Sequence, residues 1–182
     1  MIDQTKLKPA DPTRSVEHLI EFRAGELQDL CDATDAAIEC GGGFGWLKLP
    51  AREVLERYWQ GVLAMPSRAL FVSRLDGVIC GTCQLLKAPP NNEAQNHALQ
   101  LTTNFVAPWA RGHGLATMLM KAAEHYAVKE GHSVINLDVR ENLTDAMRLY
   151  EVLGFQRIGE HPAYAVVDGK TIKGYYYCKV LK

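Results

Sequence analysis

The chain has 182 residues, 47% of them hydrophobic, and its 20 basic and 21 acidic residues leave a net charge of −1. This length and apolar content predict a single domain over residues 1–182 with one sizeable core, which excludes a disordered chain. The balanced charge argues against a dedicated nucleic-acid-binding protein, and the lack of a signal peptide or an apolar stretch of about 18 residues predicts a cytoplasmic protein without a membrane partner.

The first half of the chain predicts two helices and a β-hairpin. Residues 1–12 carry two prolines among polar neighbours and are predicted to be a loose arm. A glycine-rich break at 41–46 separates the two helices, and Asp76-Gly77 forms the hairpin turn. The predicted elements, in chain order, are a weak strand at 14–20, helices at 24–38 and 51–64, and strands at 69–75 and 78–86.

The second half alternates between strand and helix patterns, which predicts an α/β or α+β domain. Thr144 is predicted to N-cap the short helix there, and Gly154 to end it. Residues 98–106 alternate regularly, with Leu99, Leu101, Thr103 and Phe105 predicted on one face and Gln100, Thr102 and Asn104 on the other. The predicted elements are strands at 98–106, 133–139, 155–158 and 174–181, and helices at 115–130 and 144–153.

A glycine-rich turn, Arg111-Gly112-His113-Gly114, connects a strand to a helix that begins at Leu115. Unpaired N–H groups and the helix dipole make such a turn a binding site for anions, and arginine suits phosphate. An ordinary tight connection is one alternative. A dinucleotide-binding fingerprint with Asp138 is another, which would indicate a nicotinamide-dependent oxidoreductase, but Thr117 stands where that fingerprint has its third glycine.

Two further segments extend the pattern. Arg111-x-x-Gly114-x-Ala116 resembles the Q/R-x-x-G-x-G/A signature of the GNAT superfamily of N-acetyltransferases, and Phe105-Val106-Ala107-Pro108 resembles the strand end that precedes it. Ala146-x-x-Leu149-Tyr150-x-x-x-Gly154-Phe155 resembles the family's second element. The resemblance covers about Ala69 to the C-terminus. It implies a mixed, mostly antiparallel sheet of six to seven strands, with two splayed parallel central strands and about four flanking helices.

The resemblance also implies a reaction: acetyl transfer from acetyl-CoA to a primary amine of a small molecule, by direct attack in a ternary complex. Many members have a cofactor-contacting Asn where this chain has Leu143, so the neighbouring Asn142 is expected to substitute. The expected cofactor-binding residues are Phe105, Val106, Arg111, Gly112, His113, Gly114, Leu115, Ala116, Thr117 and Asn142.

Tyr150 occupies the family's usual position for the acid that protonates the leaving thiolate. The general base is not evident from the sequence. The candidates are Glu93, His97, Asp138 and a water chain ending at Gln100 or Thr102, and Asp138 is interpreted as structural.

The resemblance also implies the place of the acceptor site, which would involve Phe44, Trp46 and the loop around Tyr164. Aromatic rings there suit an alkyl-ammonium group. Cys80-Gly81-Thr82-Cys83 lacks the second ligand pair of a metal site, so no metal is expected. The sequence leaves open a homodimer, the identity of the amine, and the alternative of an acyl-CoA-binding module without catalysis.

Overall fold

The computed structural model describes residues 11–41 and 45–182. Most of the predicted loose arm and Phe44 therefore lie outside the described residues. The strands are β1 Arg14–Leu19, β2 Arg68–Leu75, β3 Val78–Lys87, β4 Ala98–Val106, β5 Val134–Arg140, β6 Gln156–Val167 and β7 Lys170–Val180. The helices are α1 Glu26–Glu39, α2 Arg52–Ala64, α3 Leu115–Lys129 and α4 Thr144–Val152, with short 3-10 turns at Glu93–Gln95 and Pro108–Ala110.

The described strands form one seven-stranded sheet in the order β1-β2-β3-β4-β5-β7-β6. Neighbouring strands are antiparallel except for the central pair, β4 and β5, which is parallel. This confirms the predicted fold class, a mixed and mostly antiparallel sheet with a parallel central pair and four helices. No helix in the described part of the chain is long and apolar enough to cross a bilayer.

Apolar side chains cover both faces of the sheet and form two core clusters. Leu119 and Ala123 of α3 pack with Leu99 and Ile135 of the central strands on one face. On the other face, Leu30 of α1 and Trp59 of α2 pack with Val72 and Phe105. Because each face carries its own helices, the central strands are buried on both sides.

A β-bulge in β4 corrects the predicted alternation of this strand. Thr102 pairs with Gln84 and Phe105 with Thr82, so two residues of β4 stand opposite Cys83 alone, and Thr103 has a φ of 51°. A bulge shifts the side-chain alternation by one residue. Leu99 and Leu101 consequently belong to the cluster beneath α3, whereas Phe105 belongs to the cluster beneath α1 and α2.

The C-terminal hairpin is longer than predicted. Strands β6 and β7 are joined by Asp168-Gly169, whose φ angles of 49° and 74° suit a two-residue type I′ turn. Tyr164 therefore lies on a strand, where the sequence predicted a loop. Pro162 has no N–H to donate to the ladder, and the pairing is irregular between His161 and Ala165, which leaves Tyr164 in a bulge.

The N-terminus of α4 also differs from its prediction. Thr144 is the first helical residue and does not cap the helix. Leu143 occupies the N-cap position, and no side chain caps the helix by a hydrogen bond. The first N–H groups of α4 therefore face the neighbouring loop and cavity without a capping oxygen from the chain's own side chains.

Candidate active site

The separation of β4 and β5 creates a cavity near the middle of the sheet. The two strands pair only between Ala98–Gln100 and Val134–Asn136 and then diverge. The gap that follows holds a cavity of about 420 Å³, which reaches from Tyr150 on α4 to Tyr164 on β6. The bulge at Thr103 lies in the wall of this gap. The side chains of β4 therefore change their alternation between the two faces of the sheet beside the cavity.

Tyr150 is buried at the inner end of this cavity. Its hydroxyl oxygen accepts a hydrogen bond from Nδ2 of Asn104 at 3.2 Å, and its ring packs beside Phe155 and Tyr177. Burial raises the pKa of the Tyr150 phenol to about 12, against the lowering effect of the bond from Asn104. The phenol therefore keeps its proton at neutral pH, and because Asn104 uses the oxygen as an acceptor, the O–H group remains a donor.

Asn104 is a site residue that the sequence reasoning missed. Its Oδ1 is buried and has no hydrogen-bond partner among the described residues, and the residue lines both this cavity and a second one. An unpaired buried acceptor lowers the stability of the fold by about 1–3 kcal/mol. A ligand that donates a hydrogen bond to Oδ1 would remove this cost. The regular alternation of residues 98–106 contains no signal for the bulge that turns Asn104 towards Tyr150.

The second cavity, of about 300 Å³, lies between the end of β4 and the N-termini of α3 and α4. Its lining brings together five of the residues predicted to bind the cofactor, and Leu143 stands beside Asn142 there. These five residues are Phe105, Val106, Arg111, Ala116 and Asn142. The two cavities meet at Asn104, so a long ligand in the second cavity can reach Tyr150 in the first.

The turn before α3 has the geometry of an anion site. Gly112 and Gly114 have φ angles of 82° and 73°, and no side chain caps α3 by a hydrogen bond. Arg111 is held beside the turn because its Nε donates to the carbonyl oxygen of Val106 at 3.2 Å. The first N–H groups of a 15-residue helix and a fixed guanidinium suit a diphosphate.

The other residues predicted in this segment have different roles. The side chain of Leu115 is buried in the core, so only its backbone can face an anion. The carbonyl oxygen of His113 accepts a hydrogen bond from Arg14 of β1. Thr117 lies half-buried in the first turn of α3.

At the outer end of the larger cavity, Tyr164 contacts Asp138 of β5. The Tyr164 hydroxyl donates to Oδ2 of Asp138, and Nε2 of Gln100 donates to Oδ1 of the same carboxylate at 2.9 Å. Burial and the bond to Asp138 raise the pKa of Tyr164, so its phenol also stays protonated. The predicted acceptor residue Tyr164 and the base candidate Asp138 are thus in direct contact.

The remaining candidates lie elsewhere. The Trp46 ring packs edge-on against Tyr58 of α2, whereas its neighbours Gly45 and Leu47 line the cavity. His97 is exposed just before β4, and Glu93 lies in the preceding 3-10 turn. His97 is at the end of β4 opposite Asn104, about 20 Å away at the rise of a strand.

Comparison with known proteins gives consistent matches. The sequence model of the acetyltransferase (GNAT) family matches residues 31–155. An "uncharacterized N-acetyltransferase in hisH-hisA intergenic region" of Azospirillum brasilense is 60% identical over 127 residues, which is 70% of this chain and 76% of the relative.

Two solved structures share the fold. A putative acetyltransferase from Salmonella typhimurium, solved with acetyl-CoA, has a TM-score of 0.75 at 14% identity, covering 93% of this chain and 94% of the other. A chimeric spermidine N-acetyltransferase from Vibrio cholerae has a TM-score of 0.74 at 16% identity, covering 92% and 95%. At these identities the likeness concerns the fold alone.

Proposed function

The chain belongs to the GNAT acetyltransferase family and is an N-acetyltransferase that uses acetyl-CoA, and from this premise we propose that its acceptor is the primary amine of a small molecule. The observation that carries the proposal is the 420 Å³ cavity between the diverging strands, with the Tyr150 phenol at its inner end and the Asp138 carboxylate at its outer end. The spermidine enzyme of the same fold, named for a small amine, is in keeping with such an acceptor.

The second cavity supports the proposed placement of the coenzyme. Its residues fit the group on two observations: the glycine turn that leaves the N-terminus of α3 uncapped, and the orphaned Oδ1 of Asn104 at the junction of the cavities. The N–H groups of the Gly112–Thr117 segment and the Arg111 guanidinium would hold the diphosphate. The backbone at Phe105 and Val106 and the side chain of Asn142 would border the pantetheine arm.

The bound coenzyme supplies the thioester whose carbonyl carbon the amine attacks. The amine must lose one proton to solvent before attack, and the second proton lost from nitrogen ends on the sulfur, which balances the reaction. We assign the backbone N–H of Val106 as the donor that stabilises the negative charge on the carbonyl oxygen.

Tyr150 donates to the departing sulfur in this mechanism. A thiol has an ordinary pKa of about 8.5, whereas burial raises the pKa of Tyr150 to about 12. Complete proton transfer from this phenol to a thiolate is therefore uphill. Tyr150 acts mainly by a hydrogen bond that strengthens as charge develops on sulfur.

The test is a calorimetric titration with acetyl-CoA, followed by a thiol-release assay with small primary amines and with peptides carrying a free N-terminus. We expect micromolar binding of acetyl-CoA, about −8 kcal/mol, no response to NADH, and thiol release that depends on a small amine. Thiol release with peptides but not with small amines would show that the acceptor is a peptide N-terminus and not a small molecule. Binding without transfer to any amine would favour the non-catalytic module.

A further inference from the structure

The Asp138 carboxylate at the outer end of the larger cavity is held in one orientation by two donors. Gln100 of β4 donates to Oδ1, and Tyr164 of β6 donates to Oδ2. The three residues come from three different strands and meet just where β4 and β5 stop pairing. Each carboxylate oxygen can accept a second hydrogen bond, so two acceptor positions remain.

Two unusual residues place the Tyr164 ring against Asp138. Pro162 lies in the bulge of β6 that contains Tyr164. Gly174 of β7 lies directly beneath the ring, and a Cβ at this position would overlap the Tyr164 ring atoms. A glycine inside a strand weakens it, and its usual explanation is the close approach of another group. The pairing of β6 and β7 is thus irregular at the place where the Tyr164 phenol contacts the Asp138 carboxylate.

Asp138 is exposed, so water alone could donate hydrogen bonds to its carboxylate oxygens. The need for hydrogen bonds therefore does not explain why two protein side chains donate to it. Asp138 is the only acidic side chain among the described residues that line this cavity, and the nearly buried Arg140 is the only basic one. The neighbouring walls include apolar side chains: Leu47, Leu101, Leu137 and Val166. The outer end of the cavity therefore combines one exposed, oriented carboxylate with an apolar wall, whereas the one basic side chain of the lining is nearly buried.

We infer that Asp138 binds the ammonium group of the acceptor, and that Gln100 and Tyr164 are positioning residues for its carboxylate. The substrate class is then a small cation with an apolar body. This inference rests on the proposed function, because the cavity that holds Asp138 also contains Tyr150. Asp138 binds the amine in its charged form at the outer end of the cavity. The proton lost before attack leaves to solvent there, and the neutral amine, no longer held by the carboxylate, moves inward towards Tyr150.

The test compares two ligands of the same size and different charge, benzylamine and benzyl alcohol, by calorimetry on protein saturated with coenzyme A. The wild-type protein is expected to bind benzylammonium at least tenfold more tightly than benzyl alcohol. D138N should remove this tenfold preference and leave the affinities for benzyl alcohol and coenzyme A unchanged within twofold. Y164F, which keeps the ring over Gly174, should weaken benzylammonium binding by about threefold.

Glu21→Gln is the matched control, because it removes an exposed carboxylate between β1 and α1 and should change none of these affinities. The inference is overturned if the wild-type protein does not prefer the ammonium, or if D138N weakens both ligands equally, as a structural role for Asp138 would. Failure of the proposed function has a different signature: the wild-type protein would bind no acetyl-CoA, or would release no thiol with any small amine.

Discussion

Tyr150 and Asn104 form a hydrogen-bonded pair, and each of their polar side-chain atoms has a different hydrogen-bonding role. Nδ2 of Asn104 donates to the phenol oxygen, Oδ1 is buried without a hydrogen-bond partner among the described residues, and the phenol O–H remains a donor. The pair depends on the bulge at Thr103, because regular alternation would turn Asn104 to the opposite face of β4. A threonine at φ 51° carries backbone strain of order 1–3 kcal/mol, and this strained residue lies at the candidate site.

The hydroxyl of Tyr150 is expected to affect turnover far more than coenzyme binding. Tyr150→Phe keeps the ring between Phe155 and Tyr177 but removes the donor to sulfur. We expect kcat to fall by about 100-fold, the usual cost of removing one hydrogen-bond donor to a charge that develops in the transition state, while the calorimetric affinity for acetyl-CoA changes less than threefold. Tyr126→Phe removes a hydroxyl from the half-buried outer part of α3 and should leave kcat unchanged. Equal kcat values in the two variants would refute the donor role.

At the scale of elements, the two ends of α3 provide a matched pair of glycines. Gly114 precedes the helix with φ 73°, Gly131 follows it with φ 83°, and a Cβ at either position would meet no atom within 4 Å. Alanine at each position should therefore cost a similar amount of stability, about 1 kcal/mol. Only Gly114→Ala should distort the proposed diphosphate site.

We expect Gly114→Ala to weaken acetyl-CoA binding by at least tenfold and Gly131→Ala to leave it unchanged, both measured by calorimetry. Thermal melts of the two variants report whether the stability costs match. Equal acetyl-CoA affinities in the two variants, with equal melting temperatures, would mean that the N-terminus of α3 does not hold the diphosphate.

The elements that the sequence predicted well depend on local patterns. Strand β4 has the predicted bounds, and α3 begins at Leu115 as predicted, because side-chain periodicity and glycine positions are local signals. Strand β6 was predicted far too short, since residues 159–167 are mostly exposed and show no buried alternation. Asp168-Gly169 is a local hairpin signal, whereas Pro162 six residues earlier favours a loop, so the two local signals conflict in this segment.

The candidate site likewise contains residues that a local sequence pattern predicts and contacts that only the tertiary structure shows. The family motifs located Tyr150 and the glycine turn, because these residues are recognisable within one segment. The contacts of Asn104 with Tyr150 and of Asp138 with Tyr164 join residues 46 and 26 positions apart. They depend on a bulge and on the position of Gly174 beneath a ring, which are tertiary features without a local sequence signal.

At the scale of the whole molecule, an ion-pair network attaches the first strand and helix to the sheet. Arg74 of β2 is nearly buried and donates to Glu26 of α1 at 2.6 Å and to Glu17 of β1 at 3.0 Å. The backbone N–H of Arg23 also donates to Glu26. Since β1 is an edge strand, this network is a principal polar link between α1 and the sheet edge.

Glu26 should make stability depend on pH in the acid range. Burial would raise the pKa of Glu26, but hydrogen bonds from the Arg23 backbone and from Arg74 lower it below its ordinary value of 4.5. A carboxyl whose folded-state pKa is lowered contributes stability above its ordinary pKa, and loses that contribution as the pH falls through the folded-state value. Glu26→Gln should therefore lower the free energy of unfolding by about 1–3 kcal/mol at pH 7, and by progressively less below pH 4.5.

Urea unfolding of the wild-type protein and the variant between pH 3 and pH 7 measures this difference. Glu17→Gln serves as the control, because Glu17 is more exposed than Glu26 and its loss leaves the shorter Arg74–Glu26 pair in place. It should cost less than half as much as Glu26→Gln at pH 7. A difference between wild type and Glu26→Gln that stays constant across this pH range would show that the charge of Glu26 does not stabilise the fold. The attachment of α1 to the sheet edge would then rest on the apolar contacts of Leu30 and its neighbours.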